Sequence, residues 1–192
     1  MNSESGAGAK DIFATETTRF LDIVCREFRF LVDERHFDEP TIIEENAANW
    51  YERRVAARYL GRDVGLAIEV ELRFADPAIN VALIALDGRE FPRKYSFYGD
   101  VGHQPAVSLD SFVQCITNNA IQPLLQWPEF GSSPSAIGKG MDSRKAMIQG
   151  DMEGVIAEYA SRLHKYCAAV LDGDQSRFPE VAIFHRRKFR GV

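Results

Sequence analysis

Residues 49–74 read NWYERRVAARYLGRDVGLAIEVELRF, and the first half of this stretch fits two different structures. A helix over 50–60 would have Asn49 as its N-cap, Glu52 at the capping-box position and Gly61 just past its end. A strand would instead alternate its apolar and polar side chains between two faces. The choice decides how large a sheet the chain builds.

The second half of the stretch is unambiguous. Apolar and polar residues alternate in VGLAIEVELRF, which is typical of a half-buried antiparallel strand. One face carries Val64, Leu66, Ile68, Val70, Leu72 and Phe74, and the other carries Glu69, Glu71 and Arg73. A strand of this kind needs neighbours, because an isolated two-stranded hairpin is marginally stable in water.

Two neighbours are available. INVALIALD follows after the turn ADPA, and residues 51–60 can fold back through GRDVG. In that arrangement Arg54 and Arg58 would lie across from Glu69 and Glu71, and opposed charges stabilise a strand pair. We therefore predict a strand over 51–60 and a meander of about four strands over residues 41–87, which KYSFYG at 94–99 would extend to five.

Helices are predicted on both sides of this meander. TETTRFLDIVCREFRFLVDERHF, residues 15–37, has apolar side chains at three- and four-residue steps, with Thr17 or Thr18 as its cap. Three more helices follow: a short one from Ser108 or Asp110, a long one from Met141, and a final one after Gly173. The Gly, Ser and Pro residues of 128–143 favour a loop.

The predicted fold class is α+β: an antiparallel β-meander of four or five strands covered by an N-terminal helix and C-terminal helices. The length of 192 residues suits a single domain, 1–192, with residues 1–12 as a disordered lead-in. No apolar run approaches the roughly 20 residues of a membrane helix, and no signal sequence is evident, which favours a cytoplasmic location. Three widely spaced cysteines favour buried, inert thiols.

Two charged segments are candidate binding sites. The acidic segment precedes and enters the first strand, and its charges are typical of a solvated surface; if it has a function, we expect it to bind a basic protein surface rather than a metal. It comprises Asp33, Glu34, His36, Asp38, Glu39, Glu44 and Glu45. The basic C-terminus HRRKFR would bind an anion or nucleic acid, or simply favour the helix end. Its candidate residues are Arg186, Arg187, Lys188 and Arg190.

No catalytic motif, metal site or cofactor site is predicted. GSSPSAIGKGMDS lacks the spacing of a phosphate-binding loop, the four histidines are scattered, and no G-x-S-x-G is present. The formal charge of −5, from 23 Lys and Arg against 28 Asp and Glu, disfavours nucleic acid as a partner. The sequence thus favours a non-catalytic protein-binding module, and an enzyme is the less favoured reading.

Two alternatives remain open. One is a small enzyme whose site lies between loops 88–107 and 128–141, because loops on a rigid scaffold usually carry catalytic groups. The other is nucleic-acid binding through the basic C-terminus. Ligand-induced stabilisation would favour the first, and steep salt dependence of binding would favour the second.

The element order, with FRFLVDERHF at 28–37 and VLDGDQSRFPE at 170–180, resembles uncharacterised bacterial single-domain α+β proteins. Some similar small proteins act as immunity or toxin-neutralising partners. The resemblance therefore implies a protein partner and an immunity or defence-associated role. It assigns no functional residue.

Overall fold

A computed structural model describes residues 5–45, 53–74, 78–86, 88–125 and 133–190. These residues form six helices and six strands. The helices are α1 (Ser5–Glu27), α2 (Arg29–Asp33), α3 (Leu109–Ile116), α4 (Pro134–Tyr166), α5 (Ala168–Leu171) and α6 (Phe178–Arg190). The strands are β1 (Thr41–Glu45), β2 (Arg54–Gly61), β3 (Leu66–Arg73), β4 (Ala78–Ala85), β5 (Tyr95–Ser96) and β6 (Gln104–Ser108).

The sheet has the order β1-β2-β3-β4-β6-β5. Strands β1 to β4 form the predicted antiparallel meander, β6 pairs antiparallel with β4, and β5 pairs parallel with β6. The α+β class with helices before and after the sheet is confirmed. The sheet has six strands rather than four or five. The sequence did not indicate β6, because its segment is rich in turns and lacks alternation, and β6 pairs with the edge of β4.

The ambiguous segment is extended from Arg54 onward, as predicted, while residues 49–52 lie outside the described part of the chain. In β2, Tyr59 pairs with Ile68 of β3, and Arg58 lies opposite Glu69. The strand hydrogen-bonds to both β1 and β3, so a helix at this position would have forfeited both ladders. Tyr59 is buried, and its hydroxyl donates to the backbone oxygen of Val24 in α1 (3.3 Å).

The main core lies between one face of the sheet and the helices. Strands β3 and β4 contribute Ile68, Val70, Leu72, Val81 and Leu83, and the leading helices contribute Phe20, Val24, Phe28 and Leu31. From the C-terminal half come Met152, Ile156, Tyr159 and Leu163. Each set has the spacing of the sequence pattern, so the predicted apolar faces are the ones that pack.

The opposite face of β3 is also buried, which corrects the half-buried prediction. Glu69 is 1% exposed and Glu71 is 4% exposed. Leu86, Phe91, Tyr95 and Phe97 from the segment between β4 and β6 pack over this face, on Ala67, Ala82, Ile84 and Ala106. Arginines pair with both buried carboxylates, which compensates for their lost hydration.

Several helix boundaries differ from the sequence prediction. Helix α1 begins at Ser5, within the expected lead-in, because a helix that already packs at Phe20 is extended more easily than a new one is nucleated. Residues 1–4 lie outside the described range. Thr18 is therefore inside α1 and donates to the Ala14 backbone oxygen (2.9 Å) instead of capping it.

Helix α4 begins at Pro134, so residues 134–141 are helical where a loop was expected. Proline is well tolerated in the first turn of a helix. The helix is interrupted at Asp151 (φ −144°, ψ 54°), whose Oδ1 accepts from the Gly154 backbone N–H (3.0 Å). Asp151 therefore acts as the N-cap of the second part of α4.

The thiol prediction is confirmed for Cys167 alone, which is buried and has its pKa raised to about 12 by that burial. Cys25 and Cys115 are half-buried.

Within the described ranges, no helix is long and apolar enough to cross a membrane.

Candidate functional site

A cavity of about 260 Å³ opens between α3, α6, Tyr159 of α4 and the segment where β3 ends and β4 begins. We call it the α3–α6 pocket. Its aromatic lining includes Phe97, Tyr98 and Phe189, and its polar lining includes Arg73, Asn80, Ser108, Asp110, Ser111, Gln114, His185 and Lys188. A concave site with an apolar wall and a few convergent polar groups is the usual form of a small-molecule site.

Ser108 and the start of α3 shape the polar wall. Ser108, one of the two starts expected for this helix, is the N-cap of α3, and its Oγ accepts from the Ser111 backbone N–H (3.2 Å). Its hydroxyl also lies 2.9 Å from the Ser111 hydroxyl. The cap therefore fixes Ser111 in the first turn of α3, with its side chain on the pocket side.

Ser111 is joined to His185 of α6 by a short hydrogen bond. The distance between Ser111 Oγ and His185 Nδ1 is 2.6 Å. With the imidazole proton on Nε2, the Ser111 hydroxyl donates to Nδ1; with the proton on Nδ1, the imidazole donates to the hydroxyl. The first arrangement is that of a nucleophile and its general base.

His185 lies in an aromatic environment. Its ring centroid is 5.8 Å from that of Phe97, 5.1 Å from that of Tyr98 and 4.5 Å from that of Phe189. Burial, together with the positive charges of Lys188 and Arg190, lowers the pKa of His185 to about 4. The imidazole is therefore neutral at pH 7.

Asp110 ties the pocket to α4. Tyr159 donates its hydroxyl to Asp110 Oδ2 (3.0 Å), and Arg162 Nη1 lies 3.5 Å from Oδ1. Burial raises the pKa of Asp110, although the Tyr159 hydrogen bond and the arginine act in the opposite direction. Burial raises the pKa of Tyr159 well above its usual value, so its hydroxyl stays protonated.

Two donors on the sheet side are held by one buried carboxylate. Glu71 Oε2 accepts from Arg73 Nε at 3.0 Å and from Asn80 Nδ2 at 3.4 Å, while its other oxygen accepts from Arg54 (3.1 Å). On the opposite side of the pocket, Lys188 Nζ donates to Gln114 Oε1 (2.8 Å). Cationic groups thus border the pocket on two sides.

The predicted acidic segment lies at the end of α2, in the following turn and in β1, away from the pocket lining. Arginines of the chain pair with four of its six carboxylates. These pairs are Arg29 with Asp33 (2.9 Å) and Glu39 (2.8 Å), Arg62 with Asp38 (2.6 Å), and Arg54 with Glu45 (2.8 Å). His36 adopts a left-handed backbone conformation (φ 59°). The internal pairing reduces the negative charge that this segment presents to a partner.

The basic C-terminal residues separate on α6. Arg186 donates to the Tyr98 backbone oxygen (2.5 Å), and the Arg190 guanidinium lies 3.6 Å from the Tyr98 ring centroid. Lys188 borders the pocket, and Arg187 is exposed. Of the four predicted anion-binding residues, the structure therefore places Lys188 at a cavity.

Sequence reasoning missed the pairing of Ser111 with His185. The two residues are 74 positions apart, and neither belongs to a motif with fixed spacing. The N-cap signal at Ser108 was the one local indication that this region has a defined geometry. Of the two loops in the hypothesised enzyme site, loop 88–107 contributes Phe97 and Tyr98 to the pocket lining, and residues 133–141, the described part of the other loop, contribute none.

The described residues contain no group of three or more histidine, cysteine, aspartate or glutamate side chains placed to hold a metal ion. Models of known protein families, curated proteins and solved structures yield no match to this chain.

Proposed function

We propose that this protein binds a small organic anion with a planar ring in the α3–α6 pocket. The observation that supports this proposal is the convergence of an aromatic wall and a set of hydrogen-bond donors on one cavity. Such a cavity accepts a flat apolar body on one side and fixes a polar group on the other.

The aromatic wall favours a ring. Phe97, Tyr98 and Phe189 all surround His185, and they come from two segments, the β5 region and α6. Aromatic groups gain from offset or edge-to-face contact in addition to the area they bury, by about 0.5–1.5 kcal/mol per pair. A planar ligand would extend this cluster.

The polar wall favours a negative charge. Lys188 and Arg73 border the pocket, while the charge of Asp110 is compensated by Arg162 and by the Tyr159 hydroxyl. An ammonium and a guanidinium are both cationic, so Lys188 and Arg73 place positive charge beside the cavity while bonded to Gln114 and Glu71. A carboxylate or a similar oxygen-rich group suits these donors.

Benzoate, benzamide and benzamidine test the proposal, because they share a ring and differ in charge. We expect benzoate to shift the NMR signals of Ser111, His185 and Phe189, and to bind more tightly than neutral benzamide and cationic benzamidine. Phe189→Ala should weaken benzoate binding, and Ile183→Ala, on the same helix but 47% exposed and outside the lining, should not. Equal weak binding of all three compounds, or shifts remote from the pocket, would contradict the proposal.

The protein-binding role is a second candidate, supported by one observation. β1 is an edge strand within the described sheet, and its Ile42 is 40% exposed close to Glu44 and Glu45. An edge strand with an exposed apolar side chain is a common place for a partner to pair. The immunity role and the cytoplasmic location stay predictions. A pull-down at native salt tests the binding role: a partner that the wild-type chain recovers and that a folded Ile42→Lys chain does not would support it.

A further inference from the structure

We infer that Ser111 is a nucleophile, with His185 as its general base, and that it accepts the acyl group of small aryl esters. This inference rests on the proposed function, because the pocket that holds the ring of the ligand would also hold the ester. It goes beyond binding by assigning a reaction class and two catalytic residues.

The geometry of the pair is the first support. Hydroxyl and imidazole are 2.6 Å apart, which lies within hydrogen-bonding distance for a nucleophile and its base, about 2.6–3.2 Å. Both side chains border the same cavity, so a bound ester carbonyl can approach the hydroxyl. Ser111 is 2% exposed, so the ester would reach its hydroxyl from inside the cavity.

The position of Ser111 in α3 is the second support. It is the third residue of a helix capped by Ser108, so its Oγ lies near the helix N-terminus. The partial positive charge at that end stabilises the negative charge that develops on Oγ during attack. The Ser108 hydroxyl, 2.9 Å away, is a further donor to the same oxygen.

The reaction balances without a cofactor. Ser111 Oγ attacks the ester carbonyl carbon while its proton passes to His185 Nδ1. The carbon–oxygen bond to the aryloxide then breaks, and the leaving group takes up the proton from Nδ1. Water attacks the resulting acyl-serine with His185 again accepting the proton, which releases the carboxylic acid and restores Ser111.

The environment of His185 sets the expected rate. The cations Lys188 and Arg190 face the imidazole from its own helix, the aromatic rings of Phe97 and Tyr98 face it from the β5 region, and Ser111 faces it from α3. Among the described residues, the imidazole has a hydrogen bond with Ser111 alone. Loss of the orienting carboxylate from a catalytic triad costs about 10⁴ in rate, so we expect slow acylation and measure the adduct rather than turnover.

Intact-mass spectrometry after incubation with p-nitrophenyl acetate tests the inference. We expect the full chain to gain one acetyl group, mapped by peptide sequencing to Ser111, with release of p-nitrophenolate. Ser111→Ala should lose the adduct and His185→Gln should slow its formation at least about 100-fold. Ser161→Ala, an exposed serine on α4, is the matched control and should acylate like the wild-type chain.

Benzoate separates the failure of this inference from that of the proposed binding function. Protection of Ser111 from acetylation by benzoate supports both. Benzoate binding without an adduct on Ser111 overturns the nucleophile and leaves the binding pocket. An adduct that maps to another residue, or that persists in Ser111→Ala, also overturns the nucleophile. Peptide mapping of the wild-type chain gives this answer even where Ser111→Ala fails to fold.

Discussion

Arg58 of β2 lies directly opposite Glu69 of β3, and its Nε is 2.5 Å from the Glu69 carboxylate on a face of the sheet that is covered by other residues. The Tyr95 hydroxyl donates to the other carboxylate oxygen (2.7 Å), and the Arg58 guanidinium lies 3.9 Å from the Phe91 ring centroid. The ion pair therefore connects the meander to the segment that covers it.

Glu69→Ala tests how much this ion pair contributes to the free energy of unfolding. The substitution leaves the Arg58 guanidinium largely desolvated without its carboxylate, so we expect the free energy of unfolding to fall by about 3 kcal/mol. Glu180→Ala removes the partner of Arg177 in an exposed pair and should cost below about 1 kcal/mol. Chemical denaturation measures both, and equal losses would contradict the role of burial.

Gly61→Ala tests the close approach of β2 to the loop that follows α2. A Cβ at Gly61 would lie 2.7 Å from Phe37 Cζ and 2.8 Å from Val64 Cγ2. Because Phe37 is buried, the added methyl group cannot be accommodated freely, and we expect a loss of about 1–3 kcal/mol.

Gly138→Ala in α4 is the matched substitution with the opposite sign. A Cβ there meets nothing within 4 Å, and alanine has the higher helix propensity. We expect a gain of about 0.5–1 kcal/mol, measured by denaturation beside Gly61→Ala. A stability loss at Gly138 would argue against the helical start of α4 at Pro134.

Asp151→Ala tests the break in α4. Its carboxylate caps the second part of the helix through the Gly154 N–H, and such a cap is worth about 1 kcal/mol. Asp142→Ala, at an exposed position of the same helix, should change stability by less than about 0.5 kcal/mol. Calorimetry of the two variants compares them directly, and an unchanged Asp151→Ala would mean that the cap contributes nothing.

His185 makes stability depend on pH in a defined direction. Its ordinary pKa is 6.5 and its pKa in the folded chain is about 4, so above pH 6.5 both states are neutral. As the pH falls from 6.5 to 4, the unfolded chain binds a proton that the folded chain does not, and the folded chain loses stability. His185→Gln removes this loss, which we expect to be about 1–2 kcal/mol at pH 4 because the imidazole is partly exposed.

The measurement compares the pH dependence of unfolding for the wild-type chain and His185→Gln. The raised pKa of Asp110 acts with the opposite sign, but it is present in both chains and cancels in the difference. NMR titration of the wild-type imidazole gives the pKa directly, and a midpoint near 6.5 would remove the basis for this prediction.

The local sequence pattern was sufficient to predict secondary structure and strand pairing where residues close in sequence are also close in the fold. The strict alternation around Ile68 and Val70 predicted β3 and its hairpin partners, because side chains on a strand alternate and each hairpin pairs adjacent segments. The expected opposition of charges is correct for Arg58, which lies across from Glu69, and wrong for Arg54, which lies across from Arg73. Arg54 pairs with Glu71 from a diagonal position (3.1 Å). The apolar stripe around Phe20 and Val24 predicted the leading helix, because helical residues three and four positions apart lie on one face.

The start of α4 at Pro134 could not be predicted from local composition. The glycines and serines of this segment favour a loop by propensity, whereas in the structure the segment extends, in the N-terminal direction, a helix that is buried at Arg144 and Ile148.

The sequence by itself determined the meander, the helices that flank it and the apolar face on which they meet, since these follow from periodicity over short stretches. Only the tertiary structure decided that Glu69 is buried, that β6 adds to the sheet and that Ser111 meets His185 in one cavity. Ser111 and His185 are 74 positions apart, so their contact depends on how α3 and α6 pack together. The sequence around each residue contains no pattern that identifies the other as its partner.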